Sequence, residues 1–156
     1  METAERKIDL FEVAEIKLSY SAIVKNSLRP KVSSSRQVYE VFAKAWDQDG
    51  IEFVEDFKVM LLSRANLVLG IVNISSGGTA GTVVDVKLVY AAAIKANSSS
   101  VILAHCHPSG NLLPSEQDKR LTQRIKKAGE ILDIPVLDHL IMTAEGYYSF
   151  ADEGDF

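Results

Sequence analysis

Ser100-Val101-Ile102-Leu103-Ala104-His105-Cys106-His107-Pro108-Ser109-Gly110-Asn111-Leu112-Leu113-Pro114-Ser115-Glu116-Gln117-Asp118 holds three pieces of structure in a row. Ser100–Ala104 is a short apolar run and reads as a buried strand. His105–Pro114 is rich in Pro, Gly, Ser and Asn and reads as a loop. Ser115 opens a helix that continues to about Leu132, with its own hydroxyl available as the N-cap.

Working outward from this stretch, helices and strands mix along the whole chain. Upstream, Glu12–Tyr20 alternates well enough to suggest a first strand. Leu28-Arg29-Pro30-Lys31 is expected to be extended, because proline disfavours helix in the residue before it. Ser33, Ser34 and Ser35 offer N-caps for a helix through Trp46, with Val38, Val41, Phe42 and Trp46 at helical spacing. Asp47–Gly50 is a turn signal. Phe53–Leu62 and Leu67–Ile74 read as paired strands joined by a short Ser63–Asn66 connection. Ser75–Gly81 carries three glycines and reads as a tightly turned or flexible loop. Asp85 caps a helix to Ala96 whose face includes Ala91–Ala93. Downstream, Pro135–Met142 and Tyr147–Phe150 close the chain as strands around Glu145-Gly146. There is no internal repeat or low-complexity block. The fold class is mixed α/β, with a helix crossing from the glycine-rich loop to the histidine-bearing strand.

Composition bounds the function. The chain has 156 residues, of which 47% are hydrophobic and 24% charged, as expected of one globular domain with a real core. A single cysteine, Cys106, excludes an internal disulfide framework. The first twenty residues mix acids and bases without an apolar core, so no signal peptide is expected, and no run suggests a membrane span. A cytoplasmic protein without membrane contact is the expectation. The formal net charge is −4, from 17 basic and 21 acidic residues, whereas strong nucleic-acid binders carry a basic surplus. The best basic stripe, Lys119, Arg120, Arg124, Lys126 and Lys127, is interleaved with Glu116, Asp118 and Glu130 and reads as a solvated helix face.

The chain has three histidines, and His105 and His107 lie two apart. At a strand end, positions i and i+2 point to the same side, so both imidazoles can converge on one point. Zinc accepts imidazole and carboxylate, and two His plus one Asp leave a fourth position for water. Asp118 is the candidate third ligand if the Pro- and Gly-containing loop folds back. Two other readings stand beside this one. A His-x-His pair can be a hydrogen-bonded strand end, and Ser115 with Asp118 is close to a helix capping box. Cys106, between the histidines, is expected to point away from them as a packing residue. His139 is expected to be a buried structural histidine or a supporting partner of the site.

His105-x-His107, seven residues, Ser115, two residues and Asp118 resembles the JAMM (MPN+) metalloprotease motif. Ile102-Leu103-Ala104-His105-Cys106-His107-Pro108-Ser109-Gly110, Pro114-Ser115, Leu137-Asp138-His139 and Tyr148-Ser149-Phe150 are similar to the conserved C-terminal domain of the RadC family. The resemblance runs from about Ser33 to the end. It leaves residues 1–32 as an N-terminal extension packed on a domain of residues 33–156. It implies a JAMM α/β sandwich related to cytidine deaminases. It implies zinc held by His105, His107 and Asp118, a catalytic glutamate at Glu55 (with Glu52 and Asp56 as neighbouring acids), and Ser115 as an oxyanion donor. RadC proteins usually carry Asn where this chain has Cys106. The Pro-Cys-x-x-Cys of cytidine deaminases is absent, which removes that activity.

What the resemblance implies is a zinc-dependent hydrolase of metallopeptidase or isopeptidase type acting on a peptide or protein. Two alternatives remain open at this stage. One is a DNA repair-associated protein without peptidase activity, suggested only by the family's name. The helix-hairpin-helix region that suits longer RadC proteins to DNA has no counterpart in residues 1–32. The other is a metal-dependent nuclease, since ligand spacing does not choose between carbon and phosphorus as the attacked atom. Oligomeric state is not legible.

Overall fold

The computed structural model describes residues 17–79 and 81–156. Among these, the elements follow the order α1 (Ser35–Ala45), β1 (Asp56–Leu62), β2 (Val68–Ser76), α2 (Val86–Lys95), β3 (Ser100–Cys106), α3 (Glu116–Ile131), β4 (Val136–Met142), β5 (Tyr147–Ser149) and α4 (Phe150–Glu153). The strands form one five-stranded sheet in the order β2-β1-β3-β4-β5. All neighbours are antiparallel except β3 and β4, which are parallel. Parallel neighbours need a long return path, and α3 provides it.

Every residue of β3 is buried, because helices cover both faces of the sheet. On one side, Ile102, Ala104 and Cys106 pack with Met60, Leu62, Leu140 and Met142 against Val38, Phe42 and Trp46 of α1 and its C-cap. On the other, Val101 and Leu103 pack with Phe57, Val59 and Val136 against Val89, Tyr90 and Ala93 of α2 and Ile125 of α3. Fully burying an apolar side chain of this kind is worth about 1.5–3 kcal/mol. The result is the mixed α/β fold expected from the element order, in line with the sandwich that the resemblance implies.

Local chemistry sets the helix boundaries. Ser34 caps α1 by accepting from the Gln37 N–H, and Asp85 caps α2 by accepting from the Lys87 N–H. Gly129 lets α3 approach α2 closely. A Cβ there would come within 2.4 Å of both the Tyr90 hydroxyl and the Ile134 carbonyl. That hydroxyl donates to the Ile125 carbonyl at 2.7 Å. The β1–β2 connection turns at Asn66, whose φ of 59° is a left-handed conformation that asparagine tolerates.

Several boundaries differ from expectation. The expected first strand Glu12–Tyr20 lies outside the described residues up to residue 16. Its remainder, Lys17–Tyr20, is exposed and in no regular element. Alternation creates a strand only where a partner edge accepts it. Phe53 does not open β1: residues 51–54 form consecutive turns, with Phe53 and Val54 both donating to the Gly50 carbonyl. β2 continues to Ser76 and β3 to Cys106, so His105 is a strand residue rather than the start of the loop. Phe150 leaves the last strand to begin α4, which Ser149 caps by accepting from the Asp152 N–H. Arg29 is extended, as the following Pro30 requires, after a short 3-10 turn at Asn26–Leu28.

Candidate metal centre

The site stands where the end of β3 meets the start of α3. His105 has the parity of Val101 and Leu103, so its ring leaves the sheet toward α2 and α3. His107 follows two residues later and is anchored by its N–H to the Met142 carbonyl at 2.9 Å. Pro108–Pro114 then returns the chain to α3. Ser115 and Asp118 form a full capping box: Ser115 Oγ accepts from the Asp118 N–H at 3.1 Å, and Asp118 Oδ2 accepts from the Ser115 N–H at 2.7 Å. The capping reading and the ligand reading are therefore compatible, because capping orients the same carboxylate that faces the histidines.

His105 Nε2 lies 2.9 Å from His107 Nε2 and 3.2 Å from Asp118 Oδ1, and His107 Nε2 lies 3.5 Å from Asp118 Oδ2. One ligand atom from each residue falls within 4.8 Å of the others, a grouping that can hold a metal ion. The far side of each ring is occupied. His107 Nδ1 donates to the Asn111 carbonyl at 2.6 Å, which leaves Nε2 for the shared point. His105 Nδ1 meets His139 Nε2 at 2.8 Å. Two imidazole nitrogens and a carboxylate, each fixed from behind, suit a divalent metal.

Electrostatics follow from this crowding. Burial alone would push the Asp118 carboxyl up, but the adjoining imidazoles of His105 and His107 and the hydrogen bond from Ser115 hold it well below the usual carboxylate range. The hydrogen bond to Asp118 raises His107, against the opposing effect of burial. Burial pushes Glu55 up, countered by the nearby histidines. Cys106 points the opposite way. Its Sγ accepts from the Asp56 N–H at 3.3 Å and donates to the Val54 carbonyl at 3.2 Å, inside the core under α1. Its thiol is raised by burial.

Of the three neighbouring acids, Glu55 lines the cleft. Glu52 is exposed in the preceding turn, and Asp56 takes the opposite parity, 4.0 Å from Lys58 Nζ. The cleft around Glu55, His105, His107, Ser115 and Asp118 is walled by Thr82, Val84, Gln117 and Leu121. A second depression shares Glu55, His107 and Ser115 and continues to Thr79, Pro108, Asn111 and Leu113. The glycine-rich loop thus contributes directly, through Thr79 and Gly81, with Thr82 just after it. Gly77 permits its sharp return, since a Cβ there would sit 2.1 Å from the Gly81 carbonyl oxygen.

Sequence reasoning missed Thr122, which is fully buried between Asp118 and His139. The i, i+4 spacing from Asp118 was the available signal. It also missed the Asn111 carbonyl, a backbone group that no side-chain pattern marks. In the basic stripe, Arg120, Arg124 and Lys127 are exposed, Lys119 pairs with Asp155 at 3.3 Å, and Lys126 lies 3.7 Å over the Phe156 ring. Among the described residues no helix is long and apolar enough to cross a membrane.

Fold and site together define a mixed α/β domain with a His-x-His and helix-borne Asp centre in a cleft. The chain belongs to the RadC family: residues 32–155 match the model of the RadC-like JAB domain. A UPF0758 protein of Flavobacterium johnsoniae is 51% identical over 102 residues, covering 65% of this chain and 44% of that protein. One from Porphyromonas gingivalis is 46% identical over 101 residues, covering 64% of this chain and 44% of its own length. One from Clostridioides difficile is 32% identical over 153 residues, covering 92% of this chain and 65% of its own length. The chain thus spans less than two thirds of the relatives it matches.

Proposed function

We propose that this domain is a zinc-dependent hydrolase of metallopeptidase or isopeptidase type. The observation that carries the reading is the convergence of His105, His107 and Asp118 with Glu55 in the same cleft. His105, His107 and Asp118 would hold the zinc. A zinc ion with an open position acidifies a bound water to a pKa of about 7 and polarises a carbonyl.

The remaining work falls to the chain's own residues. Glu55 takes the proton of the attacking water and hands it to the departing amine, so one carboxyl serves as base and then as acid. Partial burial, which raises its pKa, suits that double duty. Ser115 Oγ donates to Asp118 Oδ2 at 2.7 Å in the resting arrangement. Turning that proton toward a developing oxyanion costs Asp118 little, because the Ser115 N–H stays on the same oxygen. The joined depressions, with few charges beyond Glu55 and Asp118, suit an extended polypeptide lying across the centre.

The test is metal analysis followed by turnover on peptide and isopeptide libraries, with phosphodiester substrates run in parallel. Zinc at one equivalent and amide cleavage lost in Glu55→Gln are the expected results. Phosphodiester cleavage without amide cleavage would replace the peptidase reading with a nuclease. Full activity in protein freed of all metal would overturn the account.

A further inference from the structure

Behind the ligands runs a line of hydrogen bonds that the proposed chemistry does not use. Thr122 Oγ1 lies 2.7 Å from the Asp118 carbonyl oxygen and 2.6 Å from His139 Nδ1. His139 Nε2 lies 2.8 Å from His105 Nδ1. A carbonyl can only accept, so the single Thr122 proton goes to Asp118. Thr122 Oγ1 must then accept from His139 Nδ1–H. In neutral His139 this leaves Nε2 as the acceptor, and His105 must supply the proton from Nδ1. Direction is therefore set along the whole line by one backbone carbonyl.

The surroundings keep this order. His139 and Thr122 are both fully buried. The His139 ring stacks on Phe150 at 4.8 Å and meets the edge of Phe57 at 5.6 Å, so it is clamped against turning over.

We propose that His139 and Thr122 are positioning residues that hold His105 in its Nδ1-protonated tautomer, presenting Nε2 as a ready metal ligand while tying it to the backbone of Asp118. The proposal rests on His105 and Asp118 being ligands, as in the proposed function. It concerns an arrangement already present without metal. The relay aligns the two ligands that come from different elements, β3 and α3, before an ion arrives.

The test uses the whole chain labelled with 15N at its histidine rings, freed of metal and held at alkaline pH. Long-range proton–nitrogen spectra report which ring nitrogen carries the proton. His105 is expected to be protonated at Nδ1 in the wild type and in Thr122→Ser, and to show mixed tautomers in Thr122→Val, which keeps the shape without the hydroxyl. Zn2+ affinity, from competition with a chromophoric chelator, is expected to fall about 10–100-fold in Thr122→Val. Thr122→Ser is expected to restore it. His139→Gln, which keeps an acceptor toward His105, should bind Zn2+ more tightly than His139→Phe. A wild-type His105 protonated at Nε2 would overturn the relay, as would wild-type affinity in Thr122→Val. A correct tautomer in a protein that takes up no Zn2+ would overturn the hydrolase reading and the ligand-setting role, leaving a structural hydrogen-bond line.

Discussion

Phe57 and His105 face each other across β1 and β3, and Glu55 and His107, each two residues beyond that pair, line one cleft. Antiparallel partners share a face of the sheet. Glu55 stands just before β1, bonded through its N–H to the Gly78 carbonyl and through its carbonyl to the Gly77 N–H, and the β1–β3 pairing brings it to the histidines although it lies 50 residues away in the chain from His105.

Replacing Glu55 by Gln keeps the size and removes the proton acceptor. Turnover is expected to fall by about 10²–10⁴, with zinc content and melting temperature near wild type. Steady-state kinetics together with metal analysis check this. Loss of bound zinc in the variant would instead assign Glu55 to holding the ion.

Ser115→Ala removes the helix cap and one donor to Asp118. Stability is expected to fall by about 1 kcal/mol. Ser115→Thr keeps the cap and should recover most of that loss. Chemical denaturation of both variants separates the capping contribution from any kinetic one: a kcat deficit that persists in a fully capped variant belongs to chemistry.

Gly77→Ala places a methyl where the Gly81 carbonyl stands, so the loop must move. Since Gly81 and Thr82 wall the cleft, a rise in KM with a small change in global stability is expected. Kinetics on a cleaved peptide and a thermal melt read the two effects apart.

Asp138 gives a pH signature away from the metal ligands. Burial raises its carboxyl above the usual 3.8, despite hydrogen bonds from Ser149, Ala151 and His139. A group raised on folding contributes stability below its unfolded value, and that contribution is lost as pH rises through the folded value. The difference in stability between wild type and Asp138→Asn should therefore shift toward the variant as pH climbs above the ordinary carboxylate range. Urea denaturation across that window checks the slope. A parallel pair of curves would show that Asp138 does not titrate with folding.

Metal uptake should also be proton-linked. His107 is raised by its bond to Asp118 and must lose its proton to bind an ion. Zinc affinity is expected to weaken as pH falls below the His107 value, with proton release measurable by titration calorimetry in buffers of different ionisation heat.

Much of the centre was legible because its parts are local. The buried strand before His105, the i, i+2 spacing to His107, the Ser115 cap and Asp118 in the first turn of α3 all depend on neighbours within a few residues. Backbone periodicity and capping act over that range. The same holds for Cys106 facing away from the histidines, into the core. Register and long-range pairing are not local. Alternation in Glu12–Tyr20 suggested a strand, and its described part, Lys17–Tyr20, is in no regular element. The family resemblance put Glu55 ahead of its neighbours Glu52 and Asp56, which spacing alone did not separate from it, and of the three only Glu55 lines the cleft. His139 and Thr122 became part of the site because parallel β4 pairs His139 with Leu103 on the face of the sheet that α3 covers. Spacing in the chain sets which residues can share a face; hydrogen-bonded register between distant strands sets which faces meet.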